Sequence, residues 1–246
     1  MELWQERTAI LLGEEGLEKL RNATVMVVGL GGVGAYAAEM LCRAGVGRMI
    51  LLDSDRVNLS NKNRQLLAMD STLDLLKSEV LSKRLKDINS KVELTIISEY
   101  LEESNIEEIF NLAQAGGKLD YLVDAIDTLA PKIELIKYCR NNNIPHVTSM
   151  GAGAKLDATK IRIADISKSY NCPLAYILRK KLRKERISKG FNVVFSEELP
   201  DREAIIAVDN ERNKKSLVGT ISYVPAVFGC VCAQEALRAL LDKKEN

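Results

Sequence analysis

The chain has 246 residues, with Lys+Arg 35 against Asp+Glu 34 and a net charge of +1. Apolar residues make up 46% and charged residues 28%, ordinary globular values that exclude global disorder, collagen-like repeats and low complexity. At roughly 150 residues per domain the length allows one large domain or two small ones, with ample material for a core. Five cysteines without framework spacing (Cys42, Cys139, Cys172, Cys230, Cys232) point to reduced thiols and a cytoplasmic address. No C-x-x-C pair is present, which argues against a four-cysteine zinc site. A single histidine, His146, excludes chemistry that needs two. The opening MELWQERTAI lacks a signal pattern. Ile221–Ala233, the longest apolar stretch, is too short and interrupted for a membrane span.

From Ala23 onward, short β-branched runs alternate with helical periods. Ala23–Val28 is a continuous apolar run ending at glycine, which predicts a strand buried on both faces. Gly32–Ala44 follows as helix and Arg48–Leu52 as a second strand, closed by Asp53. Leu73–Ile88 carries an amphipathic stripe and predicts a helix. Further strands are expected at Val92–Ile97, Tyr121–Ala125 and Pro145–Ser149, with Ile133–Arg140 helical between the last two. This alternation predicts a doubly wound α/β fold, a Rossmann-like and mostly parallel sheet extended by additional strands and helices. After Gly153, strands are expected at Lys160–Ile166 and Asn192–Ser196, a basic helix at Leu174–Ser188 and a final helix at Ala226–Leu241. Outside its strand, Lys189–Lys215 has no clear period and reads as a mobile loop. No linker divides the chain. One domain over 1–246 is expected, with a nucleotide-binding front half (20–153) and a substrate-facing back half (154–246).

Gly29-Leu30-Gly31-Gly32-Val33-Gly34 follows the first strand and opens the first helix of this alternation. Gly29 permits the tight turn, Gly31 and Gly32 let the backbone approach a phosphate, and Gly34 allows close helix–strand packing. Free amides at the helix start then face the anion. Asp53, 19 residues beyond Gly34, stands where an acid accepts ribose hydroxyls. A glycine-rich turn with no ligand also fits the letters alone. After Asp53 comes a long polar loop, Asp53–Gln65, where a dinucleotide enzyme usually has a short turn. It holds Asp55, Asn61 and Arg64, and Lys77 follows. Asp127 and Thr128 follow the fourth strand. Two cations with a carboxylate at strand ends suit a triphosphate: the cations offset phosphate charge and the carboxylate holds Mg²⁺. Taken singly, Lys77 also fits a solvated helix lysine, Arg64 a loop ion pair, and Asp127 with Thr128 a helix cap.

The glycine turn, Leu51–Asp55, Ser60-Asn61-Lys62-Asn63-Arg64-Gln65, Lys77 and Asp124–Asp127 together resemble the ubiquitin-activating-enzyme superfamily, the fold of the bacterial adenylyltransferases for molybdopterin synthase and thiazole synthesis. The resemblance implies that Asp53 holds ribose, Arg64 and Lys77 the phosphates, and Asp127 magnesium. It also implies a homodimer in which an arginine near the N-terminus, here Arg7, reaches the other subunit's site. The back half, with Ser149–Gly153, Pro173-Leu174-Ala175 and Val193–Glu198, resembles the branch that dehydrates threonylcarbamoyladenosine in tRNA. Cys172 departs from the acidic or polar residue expected there.

Arg179–Lys189 holds seven cations and one acid, a local +6. Arg179, Lys180, Lys181, Arg183, Lys184 and Arg186 therefore form a candidate tRNA-binding face, although a solvated surface helix fits the same letters. The acidic stretch Glu99–Glu108 is expected to face away from nucleic acid. The expected reaction uses ATP and Mg²⁺: the threonyl carboxylate of the modified adenosine becomes an acyl-adenylate. An internal nitrogen or oxygen then closes a ring, with Arg64, Lys77, Asp127 and Arg7 as catalytic groups. No thioester cysteine is required. Cys230 and Cys232 read as core, and Cys172 as the more accessible thiol, with a sulfur-relay partner as a weaker expectation. Three other readings remain: adenylation of a ubiquitin-like sulfur carrier's C-terminus, an NAD-dependent dehydrogenase, and a non-enzymatic tRNA-binding or sulfur-relay scaffold. His146 is expected to be neutral packing.

Overall fold

All five residues of Thr24–Val28 are buried, as expected of a strand covered on both faces. In the computed structural model this strand, β1, is the centre of the molecule. The structure describes residues 2–211 and 214–241, with side chains throughout except at 207–216. The elements run α1 (Glu6–Asn22), β1, α2 (Gly34–Ala44), β2 (Arg48–Leu52), α3 (Lys77–Ile88), β3 (Glu93–Ile97), α4 (Ile106–Gln114), β4 (Tyr121–Asp124), α5 (Leu129–Asn141) and β5 (His146–Ser149). They continue as β6 (Ile161–Asp165), α6 (Pro173–Lys184), β7 (Asn192–Ser196), β8 (Ile205–Glu211), β9 (Lys214–Val218) and α7 (Tyr223–Leu240). Seven strands form one sheet in the order β3-β2-β1-β4-β5-β7-β6, and β8 and β9 pair separately. Every neighbour in the large sheet is parallel except β6 against β7. The chain winds outward from β1 to β3, then returns to the other side of β1 with β4. The crevice at the carboxyl ends of β1 and β4 is therefore the switch point where such sheets bind ligands.

Alternate residues of the strands feed opposite layers. Val25, Val27, Leu51 and Val123 pack with Leu41, Phe228 and Ala233 on the α2/α7 side. Met26, Val28, Ile50 and Leu122 meet Ile109, Phe110 and Leu135 on the α4/α5 side. A third cluster, including Ile136, Leu178, Phe191 and Phe195, seats α6 on the far end of the sheet. Burying one such side chain contributes about 1.5–3 kcal/mol.

Three expectations change. The helix expected from Leu73 starts at Lys77, because Asp74 takes a left-handed φ of 63° and Leu76 bridges to Arg56. The basic helix ends at Lys184, four residues early, and Arg186 has a φ of 60°. Of the stretch Lys189–Lys215, residues 212 and 213 lie outside the described residues, and its later part carries β8 and the start of β9. Separately, the acidic stretch Glu99–Glu108 leads into α4, whose Ile106, Ile109, Phe110 and Ala113 are buried.

Candidate functional site: a nucleotide crevice at the switch point

The turn between β1 and α2 is fixed by its glycines. Gly29 has a φ of 85°, and a Cβ there would sit 2.9 Å from the Ala125 carbonyl oxygen. A Cβ on Gly34 would collide with the Gly29 carbonyl and come within 3.1 Å of Ala125 Cβ. The turn is thus pressed against the end of β4. At Gly31 the nearest atom to an added Cβ would be the Gln65 amide nitrogen, 3.6 Å away, so backbone is open there to a close approach.

Asp53, at the end of β2, grips this turn. One carboxylate oxygen accepts the Leu30 amide at 2.6 Å, the other the Asp55 amide at 2.7 Å. Burial raises its pKa, opposed by the nearby Lys77 ammonium and by these two amides. A carboxylate has about four acceptor positions, so two amides leave capacity for hydroxyl donors.

Lys77 opens α3 and is buried, 4% exposed. It is therefore no solvated helix lysine. Its amide donates to the Asp55 carbonyl (3.0 Å) and its Nζ to Asp55 Oδ2 (2.7 Å). Arg64 is half-buried beside the turn: a Cβ on Gly32 would meet the Arg64 carbonyl at 3.4 Å and its Cγ at 3.6 Å. Its guanidinium donates to the Ser60 carbonyl and Asn63 Oδ1 and is in no carboxylate ion pair among the described residues. Asn61 is half-buried and its Oδ1 accepts the Asn58 amide, closing a short 3-10 turn. Asp127 is exposed just past β4, and Thr128 is the first residue before α5 without a side-chain cap bond. Arg7 is exposed on the first turn of α1. Gly29–Gly34, Asp53, Asp55, Arg64 and Lys77 are thus brought together by direct contacts, and Asp127 follows the strand against which the turn packs.

Residues at and just before the start of α7 reach the glycine turn and its neighbouring loops. Asn63 Nδ2 donates to the Thr220 carbonyl at 2.9 Å. A Cβ on Gly153 would touch Thr220 Oγ1 at 3.2 Å, and one on Gly32 would meet Pro225 Cβ at 3.1 Å. Gly151 faces Cys172 at the head of α6, with 3.7 Å between its would-be Cβ and Sγ. On α6, Ala175, Leu178 and Leu182 face the core, while Lys180, Lys181, Arg183 and Lys184, with Arg186 beyond, are exposed. Arg179 instead turns inward and donates to the Ser169 carbonyl at 2.7 Å and to its hydroxyl.

Two cysteine expectations are reversed. Cys172 is buried, as the N-cap of α6. Cys230 is exposed while Cys232 is buried, because two residues on a helix differ by about 200° and face opposite ways. His146 is buried and stacked on Phe191 (5.2 Å), and burial lowers its pKa.

Lys132 is not singled out by any sequence motif. It is wholly buried in α5, with Nζ 2.8 Å from Asp124 Oδ2 and 3.1 Å from the Ser149 carbonyl. Its signal is a cation standing on the apolar stripe with Ile136 and Cys139. Gln65 enters the sequence pattern only as the end of a motif. Its Oε1 is buried without a partner.

The ThiF family model matches residues 5–246. A Bacillus subtilis protein named tRNA threonylcarbamoyladenosine dehydratase is 41% identical over 96% of this chain and 93% of its own length. Its Escherichia coli namesake is 35% identical over 98% and 95%. A crystal structure of the Escherichia coli dehydratase in complex with ATP superposes with a TM-score of 0.86 at 34% identity, covering 99% of this chain and 97% of that one. The chain belongs to the ThiF family, on the branch whose curated bacterial members are named tRNA threonylcarbamoyladenosine dehydratase.

Proposed function

We propose that this chain is an ATP-dependent dehydratase acting on threonylcarbamoyladenosine beside the anticodon of tRNA. The observation that carries the reading is the likeness, over nearly all of both chains, to a dehydratase structure that holds ATP. The crevice supports it with chemistry. Amides of the Gly29–Gly34 turn and the cations Arg64 and Lys77 suit phosphates, and Asp53 suits a ribose.

In the first step a carboxylate oxygen of the threonyl arm attacks the α-phosphorus of ATP, the bond to the β-phosphate oxygen breaks, and pyrophosphate leaves. Arg64 and Lys77 offset the charge that builds on the phosphate oxygens. A nitrogen or oxygen of the same arm then attacks the acyl carbon, loses its proton to solvent, and expels AMP, which carries away the substrate's oxygen. Holding both groups in one molecule makes closure fast. The net change in the nucleoside is loss of one water.

Among the described residues no cluster of three His, Cys, Asp or Glu is preassembled for a metal. Mg²⁺ commonly binds through one or two carboxylates plus substrate phosphates, and the exposed Asp127 fits that donor set. The ion would supply positive charge to the phosphates. The reading also takes the chain as one domain with an ATP-binding front half (20–153) and a tRNA-facing back half (154–246). Lys180, Lys181, Arg183, Lys184 and Arg186 meet the tRNA backbone, and a homodimer brings in Arg7 from the second copy. No described helix is long and apolar enough to cross a membrane.

The test is direct. Protein, ATP, Mg²⁺ and fully modified tRNA are incubated, the tRNA is digested, and the nucleoside is weighed. A product lighter by one water is expected, with AMP and pyrophosphate in equal amounts. An unchanged nucleoside mass would end the reading.

A further inference from the structure

Lys132 joins the ends of two neighbouring strands through one ammonium. On one side it holds Asp124, the last residue of β4, at 2.8 Å. The other oxygen of that carboxylate accepts the Ile126 amide at 3.0 Å, one residue before Asp127. On the other side Lys132 holds the carbonyl of Ser149, the last residue of β5, at 3.1 Å. Beyond Ser149 the chain runs through Met150–Gly153, where Gly151 faces the head of α6 and Gly153 packs on Val218 and Thr220. A single buried group therefore grips both the loop that carries Asp127 and the loop that faces the back half.

Neither Lys132 nor Asp124 has any exposed side-chain surface. Burying two charges costs most of what their attraction returns, and an apolar pair of similar volume serves stability as well. Leu135, Ile136 and Cys139 on the same helix show that this core takes apolar residues readily. What an apolar side chain lacks is the power to hold two oxygen acceptors, on separate loops, at a fixed spacing. We propose that Lys132 is a positioning residue: it locks the Asp127 loop and the Met150–Gly153 loop into one geometry, so that the phosphate being attacked and the arriving acid group meet in line. It touches neither reactant. The identity of those reactants rests on the dehydratase reading; the joining of the loops rests on geometry alone.

The double variant Lys132→Met with Asp124→Asn removes both charges and leaves an oxygen to accept the Ile126 amide. It avoids the lone buried carboxylate that Lys132→Met alone would leave. Three measurements are made on the full-length protein. ATP affinity by calorimetry is expected within threefold of the parent. Single-turnover dehydration at saturating ATP is expected at least tenfold slower. Amide exchange is expected at least tenfold faster in segments 125–128 and 150–153 together, with the turn 29–34 unchanged. If the double variant does not fold, Asp124→Asn alone is measured, since a neutral partner loosens the same grip.

Unchanged exchange in the two loops overturns the inference, and so does a uniform rise across the sheet, which marks ordinary core. Faster loops with an undiminished dehydration rate overturn it too. If the parent protein performs no dehydration, the proposed function falls instead, and the exchange data still decide whether Lys132 joins the loops.

Discussion

Cys172 caps α6 with a sulfur, and its Sγ accepts the Ala175 amide at 3.5 Å. Sulfur is a weak acceptor, whereas Asp, Asn and Ser lead at helix N-caps. Nearby, Lys155 Nζ is nearly buried and donates only to carbonyls, of Glu198 at 2.6 Å and Asn171 at 3.4 Å, and burial lowers its pKa. Cys172→Asp would give the cap a strong acceptor and that ammonium an opposite charge. It is expected to stabilise the fold by about 1 kcal/mol, which raises the melting temperature by roughly 2–4 °C for a chain of this size. A lower melting temperature would refute this expectation and show that burying the carboxylate costs more than the cap and the ion pair return. His146 makes the opposite kind of statement. Its Nδ1 lies 3.0 Å from the Ile144 carbonyl, which selects the tautomer with the proton on Nδ1, and Nε2 is buried without a partner. Burial holds the pKa below the ordinary histidine value, so below about pH 6.5 the unfolded chain takes up a proton that the folded chain refuses. Stability is therefore full above that pH and declines as pH falls through it. Melting curves from pH 7.5 to 5 should show this decline, and His146→Val should flatten it. At this scale the letters tell residue type and leave environment unread. Lys77 and Arg64 are legible because their spacing matches a motif, whereas Lys132 is not, because a buried cation is recognisable only beside its acceptors.

Elements are legible where burial imposes one pattern. The strands β1, β2, β4 and β5 are short apolar runs because helices cover both faces, and their ends can be read to within a residue. Errors come where apolar residues serve loops. Leu73 and Leu76 continue the stripe of α3 on paper, yet the chain turns back on itself at Asp74 and only Lys77 enters the helix. α6 is legible in the other direction, through charge. Its buried face is Ala175, Leu178 and Leu182, so the spacing forces Lys180, Lys181, Arg183 and Lys184 outward. α6 begins with Cys172 against Gly151, just beyond β5, and its length is about 18 Å; on the proposed function its exposed cations meet tRNA phosphates. Each cation that neutralises a phosphate adds roughly 0.7–0.9 to the slope of log affinity against log salt. Replacing Lys180, Lys181, Arg183 and Lys184 by Gln should lower that slope by about 3 while leaving ATP affinity unchanged. Arg179→Lys, which alters a side chain committed to Ser169, should leave the slope near the parent's. Equal slopes for parent and quadruple variant in filter-binding titrations would remove α6 from the tRNA face.

At the scale of the whole molecule, a single chain leaves α1 partly unaccounted for. Leu17 and Leu20 of its second half are buried, yet Leu3, just before it, is 90% exposed and Ile10 and Leu11 are 81% and 78% exposed. Adjacent exposed apolar residues on one segment mark an interaction surface. Arg7 sits among them, and no described ion pair engages it. If a twofold-related copy covers this segment, Arg7 acts in the partner's crevice and each active site is shared between chains. Two inactive variants then repair one another. In a mixed dimer of Arg7→Ala and Lys77→Ala, one crevice lacks both side chains and the other has both, Lys77 from its own chain and Arg7 from the second. Random pairing at equal amounts makes half the dimers mixed, each with one competent crevice, so co-expression should restore about a quarter of parental activity. Each variant alone should stay roughly 10²–10³-fold down, the usual loss for one charge-stabilising donor. Were Arg7 to act within its own chain, every crevice in the mixture would lack one group or the other, and activity would stay at the level of the single variants.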